Sequence, residues 1–222
     1  KKIKLPLNFH PEPHAIHGHG WEMKWNVIEV KDNFAILEYE YFSDEWLFPY
    51  LARQIFELDE FNLTITIQIK NIGKFDMPAG LGLHPYFVRT PNSIVTAETK
   101  KMWINDSENI PILLKKVPET KLLSNGLHIN KNELDNLFTG WDHKVTISWP
   151  EWKLRLSMET KPPLDYLIIY SPTGEDFFCV EPVSNVTDGF NMMENNIKGH
   201  GTKILNPGEE MEGKVFFSTE LY

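Results

Sequence analysis

The chain has 222 residues, a net charge of −9, only three arginines (Arg53, Arg89 and Arg155) and a single cysteine, Cys179. That balance is a poor match to a nucleic-acid binder, which needs a basic patch, disfavours strongly anionic substrates unless lysines build a local cluster, and rules out an internal disulfide. No run of about 18 apolar residues could cross a membrane and no signal peptide is visible, so a cytoplasmic location without membrane or nucleic-acid partners is expected.

A chain of this size buries roughly 70–75% of its unfolded surface, enough for one large domain over residues 1–222. It opens on Lys1-Lys2 without an initiator methionine, which leaves room for residues ahead of it. Residues 1–25 read as a loop, with His10, His14, His17 and His19 close together and Gly18 and Gly20 between them. Trp21 and Trp25 are placed either to stack on a flat apolar ligand or to cap the core.

Strands follow. Trp25 to Val30 and Phe34 to Phe42 flank Lys31-Asp32-Asn33, a hairpin turn, and Leu51 to Leu58 is a further strand. From Asn62 to Lys70, Leu63, Ile65, Ile67 and Ile69 alternate without a break with polar residues, the mark of a half-buried strand. Ala79 to Phe87, AGLGLHPYF, brings His84 to the position before Pro85, with Gly80 and Gly82 suggesting a bulge or a close ligand contact. Short strands are expected around Ile94 and Met102, and Lys131 to Phe138 reads as one or two helical turns.

Thr139 to Asp142 is a tight turn. Val145, Ile147 and Trp149 form one strand face, and Trp152, Leu154, Leu156 and Met158 another. Leu167 to Tyr170 and Phe177 to Val180 are short apolar strands. The second should end at Glu181-Pro182, because proline cannot donate to a ladder. Asn191 to Gly208 is loop, and Val215 to Tyr222 a last strand. Without strand–helix alternation the architecture is all-β, an antiparallel sandwich.

Two titratable side chains, His84 and Glu181, each stand before a proline at an apolar strand end. Part-burying Glu181 would raise its pKa and make it a better base near neutrality; the bland alternative is a solvated acid on a sheet rim. His17-x-His19 with Glu22, and Pro78-x-Gly80 ahead of His84, faintly echo the two metal-binding boxes of a cupin, but the spacings do not fit.

The blocks HPEPHAIHGHGW, MPAGLGLHPYF, LDNLFTGWD and FFCVEPVSNVTDGFN follow one another with the order and spacing of the aldose 1-epimerase (galactose mutarotase) family, which the chain resembles over nearly its whole length. The resemblance implies a large antiparallel β-sandwich, the galactose mutarotase-like supersandwich, with an aldohexose bound on its concave face. It implies interconversion of the α and β anomers of a free aldose, without metal or organic cofactor. His84 is then similar to the family's general acid and Glu181 to its general base. His17 matches the histidine near the ring oxygen, Asp142 the carboxylate that binds hydroxyls, and Trp21 a wall of the pocket. The family's arginine upstream of the IHG block has no counterpart in Arg53, Arg89 or Arg155; either the protein is longer or it lacks that contact and some N-terminal strands. Two rivals keep the fold: a non-catalytic carbohydrate-binding sandwich, and a hexose-6-phosphate 1-epimerase, which arginine scarcity disfavours.

Overall fold

The structure, a computed structural model, describes residues 3–42 and 45–222. The chain is mostly β, with 46% of residues in strands and 9% in helices. Among the described residues the larger sheet has nine strands, in the spatial order Asn26–Lys31, Phe34–Tyr41, Tyr50–Leu58, Asn62–Asn71, Glu210–Leu221, Leu154–Thr160, Lys144–Trp149, Ile94–Thr96 and Leu127–His128. The second has six: Tyr86–Val88, Phe177–Val183, Tyr166–Tyr170, Asp135–Thr139, Lys101–Asn105 and Pro111–Lys115. A small ribbon pairs Met77–Ala79 with Lys203–Leu205. All of these pairings are antiparallel, as expected from alternating strands without crossover helices.

The core lies between the two sheets. From the six-stranded sheet come Phe138, Leu167, Ile169, Phe178 and Val180; from the nine-stranded sheet come Val95, Val145, Ile147, Met158 and Val215, all of them buried. Because side chains alternate along a strand, this one-sided packing sends Asp135, Leu137, Ile168, Tyr170, Cys179 and Glu181 to the opposite, outer face of the smaller sheet. No helix among the described residues is long and apolar enough to cross a membrane.

Several expectations need correction. Lys131 to Phe138 is not helical beyond a short 3-10 turn at Ile129–Lys131; Asp135–Thr139 is a strand paired on both sides. The LDNLF spacing fits a helix face, but ladder hydrogen bonds from two neighbours outweigh so weak a local preference. Asn191 to Gly208 contains the end of a helix, Gly189–Glu194, and the strand Lys203–Leu205. A strand at Pro111–Lys115 and a helix at Pro118–Ser124 fill the stretch after Met102.

The strand from Phe177 also runs through Pro182 to Val183 instead of stopping at Glu181. Its carbonyl explains why the proline is tolerated. Pro182 O accepts from Leu83 N at 3.1 Å, on the side away from Tyr166–Tyr170. A residue's N–H and C=O point the same way in an antiparallel strand, so the missing donor leaves that ladder intact.

Candidate active site

Glu181 sits in mid-strand, opposite Ile168, with its side chain on the outer sheet face and only 6% exposed. His84 belongs to no strand; it lies in the connection between Met77–Ala79 and Tyr86–Val88. That connection is stitched to the strand carrying Glu181. Leu81 N donates to Ser184 Oγ at 2.8 Å, Ser184 N to Leu81 O at 2.8 Å, and Leu83 N to Pro182 O. The glycines make this approach possible. A Cβ at Gly80 would lie 1.9 Å from Asn185 Oδ1, and one at Gly82 would lie 2.8 Å from Val183 Cγ1. The close contact expected at these glycines is thus made with the chain itself. It brings His84 Nε2 to 3.4 Å from Glu181 Oε1, although the two residues are 97 positions apart in sequence.

The histidine-rich loop supplies the third member. Asn8 pins it, donating through Nδ2 to Ile16 O and accepting at Oδ1 from Ile16 N. His19 stacks on Tyr41 at 4.2 Å and lies 3.4 Å from the Tyr50 hydroxyl, while Trp25 Nε1 donates to Gly20 O. Between these anchors His17 adopts a left-handed backbone (φ 58°) followed by Gly18 at φ 65°, which turns its ring edge-on to His84, centroids 4.9 Å apart. Trp21 stands edge-on to His17 at 5.7 Å and is 46% exposed, so it flanks the pair as a wall; Trp25 packs into the core instead. Tyr86 stacks on the other side of His84, centroids 4.9 Å apart.

Asp142 does not join this group. It is exposed on the turn after the positive-φ Gly140, where its Oδ1 accepts from Lys144 N at 3.2 Å and its neighbour Trp141 is buried in the core. The acid that does reach the pair stands at the other end of the same strand. Asp135 is opposite Tyr170, which is opposite Cys179, one same-face step from Glu181. Reading LDNLF as helix hid it; read as a strand, Asp135 and Leu137 fall on one face and the acid becomes visible.

The electrostatics follow from burial. Loss of water pushes the Glu181 carboxyl up to about 8, with the Asp135 charge adding to it. Burial, with the neighbouring His17 ring adding to it, lowers His84 to about 4. His17 is lowered by burial against the field of Glu12, and Asp135 is raised by burial and then by Glu12. Near neutral pH the His84–Glu181 pair therefore holds one proton, on the carboxyl, with the imidazole neutral. This reverses the carboxylate and imidazolium suggested by the groups' ordinary values of about 4.3 and 6.5.

Fold and site together define a β-sandwich of the galactose mutarotase-like kind. The aldose 1-epimerase family model matches residues 1–218, and the chain belongs to that family. The uncharacterized protein YphB of Escherichia coli K12 is 26% identical over 228 residues, covering 99% of this chain and 77% of that protein. The uncharacterized E. coli protein YihR is 24% identical, covering 86% of this chain and 65% of its own length. A crystal structure of a candidate aldose 1-epimerase from E. coli K12 superposes with a TM-score of 0.90 at 26% identity, over 100% of this chain and 77% of that one. A galactose mutarotase-like protein from Clostridium acetobutylicum shares the fold, with a TM-score of 0.84 at 21% identity, over 100% of this chain and 74% of the other.

Proposed function

We propose that this sugar-epimerase relative is an aldose 1-epimerase, interconverting the α and β anomers of a free aldose by opening and reclosing the hemiacetal ring. The observation that carries the reading is the His84–Glu181 pair, 3.4 Å apart on the outer sheet face. Anomer exchange needs one group to give a proton as another takes one, and it proceeds slowly in water unaided. Two positioned proton carriers, each contributing typically ~10²–10⁴-fold, are therefore sufficient.

Starting from the protonated carboxyl, Glu181 gives its proton to the ring oxygen while His84 takes the proton of the anomeric hydroxyl, and the bond between C1 and the ring oxygen breaks. The pair is now a carboxylate and an imidazolium. The aldehyde rotates about C1–C2, the former ring hydroxyl attacks the other face, and both protons return. His17, Asp135 and Trp21 hold the sugar: the imidazole and carboxylate bond hydroxyls, and the indole packs on the C–H side of the ring. Asp135 replaces Asp142 in this role because it stands on the face of Glu181. The acids Asp135 and Glu12 beside the pair would repel a phosphoryl group, which favours a free aldose over its 6-phosphate.

The test is anomer exchange on glucose and galactose by saturation-transfer NMR. Glu181→Gln and His84→Asn should each slow exchange at least about 100-fold with the fold intact. Near-normal exchange in either variant removes that residue from its role. Sugar binding by the unaltered protein without exchange would establish the non-catalytic alternative.

A further inference from the structure

Cys179 lies on the same strand and the same face as Glu181, opposite Tyr86 in the neighbouring strand, with no exposed surface. One ligand-type atom each from His84, Cys179 and Glu181 lies within 4.8 Å of the other two. His84 Nδ1 is also buried without a hydrogen-bond partner among the described residues. The ring-opening chemistry uses His84 and Glu181 but gives the thiol no task.

We propose that these three side chains form an inhibitory site for a thiophilic divalent cation of the Zn²⁺ class. A nitrogen, a sulfur and a carboxylate oxygen are a mixed set that suits zinc and not magnesium or calcium, which take oxygen ligands. Tetrahedral zinc holds such atoms about 3.3–3.6 Å apart. His84 and Glu181 already stand at 3.4 Å, and rotation of the His84 and Glu181 side chains toward Sγ closes the rest. Asp135, beside the cluster on its own strand, adds a negative field that favours a cation. Binding releases two protons to solvent, one from the thiol and one from the Glu181 carboxyl, and leaves the fourth position for water. A cation held there occupies both proton carriers, so it blocks ring opening without touching the fold. The inhibition rests on the proposed function; the binding does not.

The experiment uses the whole chain, stripped with a chelator and dialysed, with ZnCl₂, CoCl₂ and MgCl₂ as probes. Co²⁺ should give a thiolate charge-transfer band that imidazole and carboxylate ligands cannot produce. Zn²⁺ should bind at one site per chain and suppress anomer exchange at that stoichiometry, with Mg²⁺ inert. Cys179→Ser should abolish the band and weaken Zn²⁺ at least about tenfold, and Cys179→Ala, compared by the same titration, guards against a folding defect of the serine variant. No cobalt–thiolate band, or Zn²⁺ affinity unchanged in both Cys179 variants, overturns the proposal and would assign any binding to the exposed histidine-rich loop. A band with no anomer exchange to inhibit would uphold the metal site while refuting the epimerase reading.

Discussion

The two faces of the six-stranded sheet are made by the same strands and obey opposite rules. On the inner face Phe138, Leu167, Ile169, Phe178 and Val180 are fully buried against the larger sheet, apolar against apolar. On the outer face, one residue along the same strand, Cys179 and Glu181 lose water with no lysine or arginine paired to them among the described residues. Burial stabilises the inner face, and on the outer one it strains Glu181. Burying Glu181 is a cost that folding tolerates and that proton transfer would use.

The largest expected effect breaks the inner face. Phe178→Ala removes a wholly buried ring beneath the site and should destabilise the protein by about 3–5 kcal/mol, read by urea denaturation. Glu181→Gln should do the reverse. It lowers anomer exchange by at least about 100-fold, close to 2.7 kcal/mol of barrier, while leaving stability unchanged or raised. Equal destabilisation by both substitutions would erase the distinction between the faces.

A smaller effect comes from pH, and its sign follows from the two shifted groups. Glu181 has its folded value raised from 4.5 to about 8, so the native state holds a proton the unfolded chain has lost, and stability falls as pH rises through that window. His84 has its folded value lowered from 6.5 to about 4, so stability rises with pH between those limits. From about 4.5 to 6.5 the two slopes cancel, and from 6.5 to 8 the Glu181 slope stands alone. With chelator present, the unaltered protein should lose about 2 kcal/mol over that last interval relative to Glu181→Gln. Parallel stability curves for the two proteins would refute the shift. In the same buffers kcat/KM should hold between about pH 4 and 8, where the pair carries one proton, and decline beyond both limits.

The inner face was the legible one. Unbroken alternation from Leu63 to Ile69 and the run Phe177 to Val180 predict strands and core directly, since period and apolarity are local properties. The antiparallel sandwich and the aldose 1-epimerase family could be read at the same level. The placement of His84 and His17 against Glu181 could not, because it depends on Gly80 and Gly82 packing against Val183 and Asn185 and on a left-handed turn at His17. The protonation of the pair was hidden for a related reason. Ordinary pKa values describe solvated groups, and a one-dimensional sequence does not reveal that Glu181 is buried with no lysine or arginine paired to it among the described residues.

The finest test separates the two acids that flank one strand. Asp135 and Asp142 are seven positions apart (142 − 135), both carboxylates, and the family blocks alone pointed to the second. Register puts Asp135 on the outer face beside the Cys179–Glu181 row, and its charge reaches Glu181; Asp142 is solvated and spends its carboxylate on the turn amide of Lys144. Asp135→Asn should raise KM for a free aldose about tenfold, near 1.4 kcal/mol, by weakening a charge-assisted bond to a hydroxyl. It should also let the Glu181 limb of the pH profile slide toward lower pH, since a neutral amide no longer disfavours the carboxylate. Asp142→Asn should move neither KM nor the pH profile and should cost at most a few tenths of a kcal/mol of stability. The opposite pattern, with KM governed by Asp142, would mean that the strand register does not place the sugar and that the turn folds over the site once substrate binds.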